Sequence, residues 1–131
     1  MFSRAFGAPD FTRFWWHWNP FVGYFLAYFC FAPLRRLAPR PLCLIVTFAL
    51  NGLLHDLVYV WPWGFARTEY LPFPFPVFTL CLVMTALVIL AAERRRFTLA
   101  HHSLRRRVVC HLLAVVGPFA CSVGLLLLAR L

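Results

Sequence analysis

The stretch PLCLIVTFALNGLLHDLVYVW, Pro41–Trp61, decides the fold, because it is long and apolar enough to cross a bilayer as one helix. A helix needs about 20 mainly apolar residues to span the hydrocarbon core. Pro76–Ala92 and Val108–Ala129 are apolar over comparable lengths. Only helices and closed barrels satisfy the backbone inside lipid. We therefore predict an all-α integral membrane protein with three transmembrane helices.

A fourth apolar segment, Pro20–Leu34, precedes these spans and is shorter. As a helix it would extend only about 22 Å, so we predict a short re-entrant or interfacial helix. Asn19 followed by Pro20 is typical of a helix start, since Asn caps free backbone N–H groups and Pro suits the first position. The three Trp residues before it favour the membrane–water boundary.

The composition agrees with a single membrane domain covering residues 1–131. Hydrophobic residues make up 63% of the chain, above the roughly 45–50% of soluble domains. The net charge is +9, and all 13 basic residues are Arg. They cluster between apolar runs, which is typical of topology signals. Because no nucleic-acid-binding pattern accompanies them, we expect no nucleic-acid partner. The five Cys lie in apolar runs without metal-ligand spacing, so we predict neither a metal site nor a disulfide.

The basic linkers predict the topology. Leu34–Arg40 and Glu93–Arg107 carry most of the Arg residues and should be cytoplasmic. The aromatic, proline-rich linker Pro62–Phe75 and the C-terminus should face the other side. The first ten residues lack the apolar core of a signal peptide, so we expect none there.

Polar residues form one row within the first predicted span. Thr47, Asn51, His55 and Tyr59 recur every four residues, so on a helix they share a face. Asp56 would point about 100° away from His55. Polar groups at mid-bilayer depth are costly unless they meet protein or a water-filled cavity. The row therefore indicates either a general base in an intramembrane cavity or a polar helix–helix contact.

Two stretches carry a resemblance to a known family. They are FTRFWWHWNPFVGYFLAYFCFAPLRR, Phe11–Arg36, and TFALNGLLHDLV, Thr47–Val58. An aromatic element ending in Trp-Asn, a Pro-Leu-Arg-Arg turn and a helix with Gly-Leu-Leu-His-Asp follow in that order. The chain thereby resembles the membrane-bound O-acyltransferase family, chiefly the branch of sterol and diacylglycerol acyltransferases and wax-synthase-like enzymes.

The resemblance implies transfer of an acyl group from a thioester, commonly acyl-CoA, to a hydroxyl group. Matched residue by residue, His55 is the catalytic general base and Asn19 a polar residue of the reaction chamber that hydrogen-bonds the donor. Candidate residues for substrate binding are Asn51, Trp18, Arg35 and Arg36. Arg35, Arg36 and Arg40 are candidates to contact the donor phosphates on the cytoplasmic side, and ordinary positive-inside signalling explains these arginines equally well. No bound cofactor is implied. The role of Asp56 stays open. Independently of the resemblance, His111 lies near a helix end from which it can reach the membrane interface, so we assign it no chemistry.

Family members have a longer chain, with many helices before the aromatic element. The resemblance is strong over Phe11–Trp63 and implies the C-terminal portion of such an enzyme. Two functions therefore stand beside each other. One is an acyltransferase acting on membrane lipids or other hydroxyl acceptors, alone or as an oligomer. The alternative is a non-catalytic membrane fragment or subunit that needs a separate N-terminal half.

Overall fold

The computed structural model describes residues 2–62 and 72–129, and in these ranges it contains helices and no strand. The helices are α1 (Phe2–Phe6), α2 (Phe11–Trp18), α3 (Pro20–Leu34), α4 (Arg40–Val60), α5 (Val77–Arg94) and α6 (Leu104–Leu128). The last three are long and apolar enough to cross a membrane. The prediction of an all-α membrane protein with three spans and one shorter apolar helix is confirmed. Most of the predicted linker Pro62–Phe75 lies outside the described residues.

The predicted helix boundaries are close to the observed ones except at the start of α6. The helix begins at Leu104, four residues before the apolar run, and its first turns include Arg105–Arg107. Arg has a high helix propensity, so the helix continues through the charged residues. Ser103 immediately precedes the helix. The apolar stretch therefore marked the membrane-spanning part of α6 rather than its full length.

Helix α3 runs over the predicted residues and includes a π-helical turn at Ala27–Phe31. Asn19 caps it, because its side-chain oxygen accepts a hydrogen bond from the Val22 backbone N–H at 3.3 Å. Pro20 occupies the first turn, as expected for a residue without a backbone N–H. The aromatic side chains of one α3 face point away from the other helices, with Phe21 82% exposed. Such a face suits contact with lipid or with another apolar helix.

Helices α4 and α5 approach each other closely at Gly52 and Asp56. A Cβ on Gly52 would lie 2.4 Å from the Cα of Thr79, so only glycine permits this distance. One turn later, the fully buried Asp56 carboxyl group accepts from the backbone N–H of Phe78 at 3.0 Å and of Thr79 at 2.7 Å. It also accepts from the Thr79 hydroxyl at 2.6 Å.

Asp56 thereby replaces a missing helix cap. Pro76 precedes α5 and provides no side-chain cap, while the first N–H groups of any helix lack partners within it. The positive end of the helix dipole also favours an acidic side chain there. The neighbouring helix α4 therefore supplies the cap for α5 and fixes the relative position of the two spans.

The short helices α1 and α2 pack against the start of α6. Phe14 is buried, and its ring stacks on that of His111 with 4.8 Å between centroids. The Arg107 guanidinium donates to the carbonyl oxygens of Gly7 and Ala100. These contacts hold α2, and the start of α3 that follows it, beside the long helices.

Candidate functional site

A cavity of about 630 Å³ lies among α2, α3, α4, α5 and α6. Its volume falls within the roughly 300–1,000 Å³ of small-molecule sites. Most of its wall is aliphatic or aromatic, with a few polar groups. The polar lining residues are Thr12, Asn19, Arg40, Thr47, Asn51, His55 and Thr85. An apolar cavity with separate polar positions suits a ligand that is mostly hydrocarbon.

One face of α4 provides most of these polar groups. Thr47, Asn51 and His55 line the cavity, together with Arg40 at the start of the helix. Tyr59, the fourth member of the predicted row, does not line it. Its hydroxyl accepts from the Phe73 backbone N–H at 2.9 Å. The four-residue spacing therefore brings three of the four predicted residues to one cavity.

His55 has a defined tautomer in its neutral form. Its Nδ1 lies 2.7 Å from the carbonyl oxygen of Asn51. A carbonyl oxygen only accepts, so we assign the ring proton to Nδ1. The Nε2 atom then carries the lone pair and is the atom able to take a proton. The ring itself lies 6.2 Å from that of Phe78, measured between centroids, and the side chain is exposed to the cavity rather than buried.

Asn19 and Trp18 line the same cavity as His55, from the junction of α2 and α3. The cap of α3 engages the Asn19 side-chain oxygen, so its NH₂ group is the donor that it can offer to a carbonyl oxygen. The Trp18 ring packs against Phe14 at 5.3 Å and Phe6 at 5.9 Å. Trp18 therefore joins the cavity wall to the packed N-terminal helices.

Arg35 and Arg36 do not line the cavity. Both are exposed, and Arg35 donates to the carbonyl oxygen of Ala38, which closes the turn after α3. Arg40 is the arginine that borders the cavity. Its guanidinium forms two hydrogen bonds with the carboxylate of Glu93, at the end of α5, one of them 2.8 Å long. Of the three linker arginines considered as phosphate contacts, Arg40 lines the cavity and Arg35 and Arg36 do not.

Two further residues were not recognised from the sequence. Glu93 also accepts from the Thr12 hydroxyl at 2.8 Å and so ties α2 to the pair with Arg40. His111, to which the sequence assigned no chemistry, has a fully buried side chain. Its Nδ1 lies 2.7 Å from the Arg107 carbonyl oxygen and its Nε2 3.5 Å from that of Asp10. The adjacent α2 segment, rather than the helix end, determines its surroundings.

Asp56 is separated from the cavity although it follows His55 directly. Its carboxyl group faces the start of α5, as described above, and is fully buried. Two rows of residues on α4, offset from each other by one position in the sequence, therefore have different roles. The row of His55 lines the cavity, and the row of Gly52 and Asp56 packs against α5.

In comparisons with protein-family models, with curated proteins and with solved structures, nothing matched the chain. A functional proposal therefore rests on the cavity, on the groups that line it and on the sequence resemblance.

Proposed function

We propose that the protein is an acyltransferase of the membrane-bound O-acyltransferase type, transferring an acyl group from a thioester to a hydroxyl acceptor in lipid metabolism. The observation that carries the proposal is that Asn19 and His55, 36 positions apart in the sequence, line one apolar cavity. These are the two residues that the resemblance pairs in a reaction chamber. An apolar chamber suits an acyl chain.

His55 would act as the general base through Nε2. The acceptor O–H loses its proton to Nε2 while its oxygen attacks the thioester carbonyl carbon. The C–S bond then breaks, and the imidazolium gives its Nε2 proton to the leaving thiolate, which departs as the thiol and returns His55 to its neutral form. The hydrogen bond from Nδ1 to Asn51 fixes the ring and supports the imidazolium that forms. The NH₂ group of Asn19 would donate to the thioester carbonyl oxygen, where negative charge develops.

The orientation follows from the basic linkers. With the linkers at residues 34–40 and 93–107 in the cytoplasm, the Arg40 end of the cavity faces the cytoplasm. A donor such as acyl-CoA would then enter from that end, with its phosphates near the exposed Arg35 and Arg36. His55 lies 15 residues further along α4, about 22 Å deeper. The hydroxyl acceptor would reach His55 from the membrane.

The experiment compares acyl transfer by membranes that contain the wild-type chain, His55→Ala or Leu54→Ala. A labelled long-chain acyl-CoA is offered with a panel of lipid hydroxyl acceptors. Leu54 is the matched control, since it lies on the same helix, is 52% exposed and does not line the cavity. We expect a loss of about 100-fold or more for His55→Ala, the scale of general-base catalysis, and none for Leu54→Ala. Equal turnover of His55→Ala and wild type would contradict the proposal.

A second function is supported by the exposure of the long helices. Less than a third of each span is buried, and for α6 the buried share is only 17%. Such surfaces suit contact with further helices, as in a non-catalytic subunit or a portion that needs a separate N-terminal half. Absence of turnover by the wild-type chain alone, with turnover restored by added helices of such a half, would favour this function.

A further inference from the structure

The cavity has one permanently charged group on its wall. Among the lining residues of the described chain, Arg40 is the only Arg, Lys, Asp or Glu. The wall between it and His55 is mainly apolar and includes Leu44, Phe48 and Leu82, with Thr47 and Asn51 as the uncharged polar groups of the same α4 face. A cavity with hydrocarbon-like walls and a cation at one end is complementary to an anionic group attached to an apolar chain.

The structure also shows which anion fits Arg40. The Glu93 carboxylate accepts two hydrogen bonds from the Arg40 guanidinium. This is the bidentate geometry in which an arginine side chain binds a carboxylate. These bonds use two of the five N–H donors of the side chain. Both partners are partly exposed, at 45% for Arg40 and 33% for Glu93. Ion pairs with this exposure are weak, so another carboxylate can replace Glu93 at small cost.

We propose that the cavity binds a long-chain fatty acid, with the carboxylate on Arg40 in place of Glu93 and the chain along the α4 face toward His55. Arg40 and His55 are 15 residues apart on this helix, which corresponds to about 22 Å of cavity wall. When no fatty acid is bound, the Glu93 carboxylate takes the place of the fatty acid carboxylate on Arg40. This site does not depend on acyl transfer, because it requires only the cavity and the ion pair.

Quenching of tryptophan fluorescence by a dibrominated long-chain fatty acid tests this site. Trp15, Trp16 and Trp18 line the cavity, so bromine atoms on a bound chain lie close to them. The full chain is reconstituted in lipid nanodiscs with Trp61 and Trp63 replaced by Phe, which leaves the cavity tryptophans as reporters. The dibrominated alcohol of the same chain length is the neutral probe, and it reports partition into the lipid together with any cavity binding that needs no carboxylate.

Three variants separate Arg40 from general effects of charge and folding. Arg40→Gln should weaken fatty acid binding about tenfold or more, since a charge-assisted hydrogen-bond pair is lost. Arg105→Gln removes one exposed charge outside the cavity and should leave binding unchanged. Glu93→Gln breaks the same ion pair but keeps Arg40, and should strengthen binding by up to about fivefold. Quenching by the alcohol should be equal in all of them.

Three results would overturn the proposal. The first is an unchanged affinity in Arg40→Gln. The second is an identical response of the fatty acid and alcohol probes in every variant. The third is an equal loss of affinity in Arg40→Gln and Glu93→Gln, which would assign the effect to the ion pair's role in the fold. Because the experiment measures fatty acid binding, it tests this proposal even when the chain is inactive in acyl transfer.

Discussion

His55 and His111 share their local geometry and differ in their surroundings. In each, Nδ1 lies 2.7 Å from the carbonyl oxygen four residues earlier, that of Asn51 or Arg107. His55 borders the cavity, whereas His111 is fully buried with its ring stacked on Phe14. A histidine in a membrane helix is therefore a candidate base only where a cavity gives access to its second nitrogen.

The two histidines also differ in what their Nε2 atoms can contact, and therefore in their chemistry. The Nε2 atom of His111 faces the Asp10 carbonyl oxygen at 3.5 Å, so a substrate hydroxyl has no place beside it. We interpret His111 as a packing residue that joins α2 to α6. If burial, rather than the type of residue, decides whether a histidine packs or is a candidate base, burial should also decide the role of other polar residues in the spans.

The largest expected effect comes from Asp56, the buried residue next to His55. Asp56→Ala removes the acceptor of the Phe78 and Thr79 backbone N–H groups and of the Thr79 hydroxyl. Buried donors without acceptors are costly, so we expect a loss of about 3 kcal/mol in the free energy of unfolding. Denaturation in mixed micelles, followed by circular dichroism, measures it.

Two variants control this experiment. Asp56→Asn keeps one acceptor oxygen and should give an intermediate loss. Leu54→Ala alters an exposed neighbour and should stay within about 0.5 kcal/mol of wild type. An Asp56→Ala variant as stable as Leu54→Ala would show that the contact between α4 and α5 does not depend on this cap.

The two histidines themselves give the next largest difference. His111→Ala removes a buried ring that stacks on Phe14 and contacts Phe11 edge-on at 5.4 Å, and should cost about 2 kcal/mol of unfolding free energy. His55→Ala removes a ring at a cavity wall and should cost less than about 0.5 kcal/mol. The same denaturation assay compares them, and equal losses would remove the distinction drawn between the two sites.

The features that the sequence predicted correctly depend on local patterns of residues. The lengths of the apolar runs predicted the three spans, because lipid requires a minimum helix length. Four-residue spacing predicted that Thr47, Asn51 and His55 share a face, and they line one cavity. Asn19 before Pro20 predicted the observed start of α3.

The remaining features depend on which helices meet. Arg40 and Glu93 are 53 residues apart, and His111 and Asp10 are 101 apart. Periodicity tells which residues share a face of one helix, but it contains no information about the helix opposite. For this reason the sequence could not separate Arg40, which lines the cavity, from Arg35 and Arg36, which do not.

A smaller stability change than those at Asp56 and His111 is expected at Asn19, which has two separable roles. Asn19→Ala removes the cap of α3 and should cost about 1 kcal/mol. Asn19→Asp keeps a capping oxygen but lacks the NH₂ group that would donate to a thioester carbonyl. We expect it to retain wild-type stability while acyl transfer falls about tenfold or more. Wild-type transfer by Asn19→Asp would limit the residue to the helix cap and leave His55 as the proposed catalytic group.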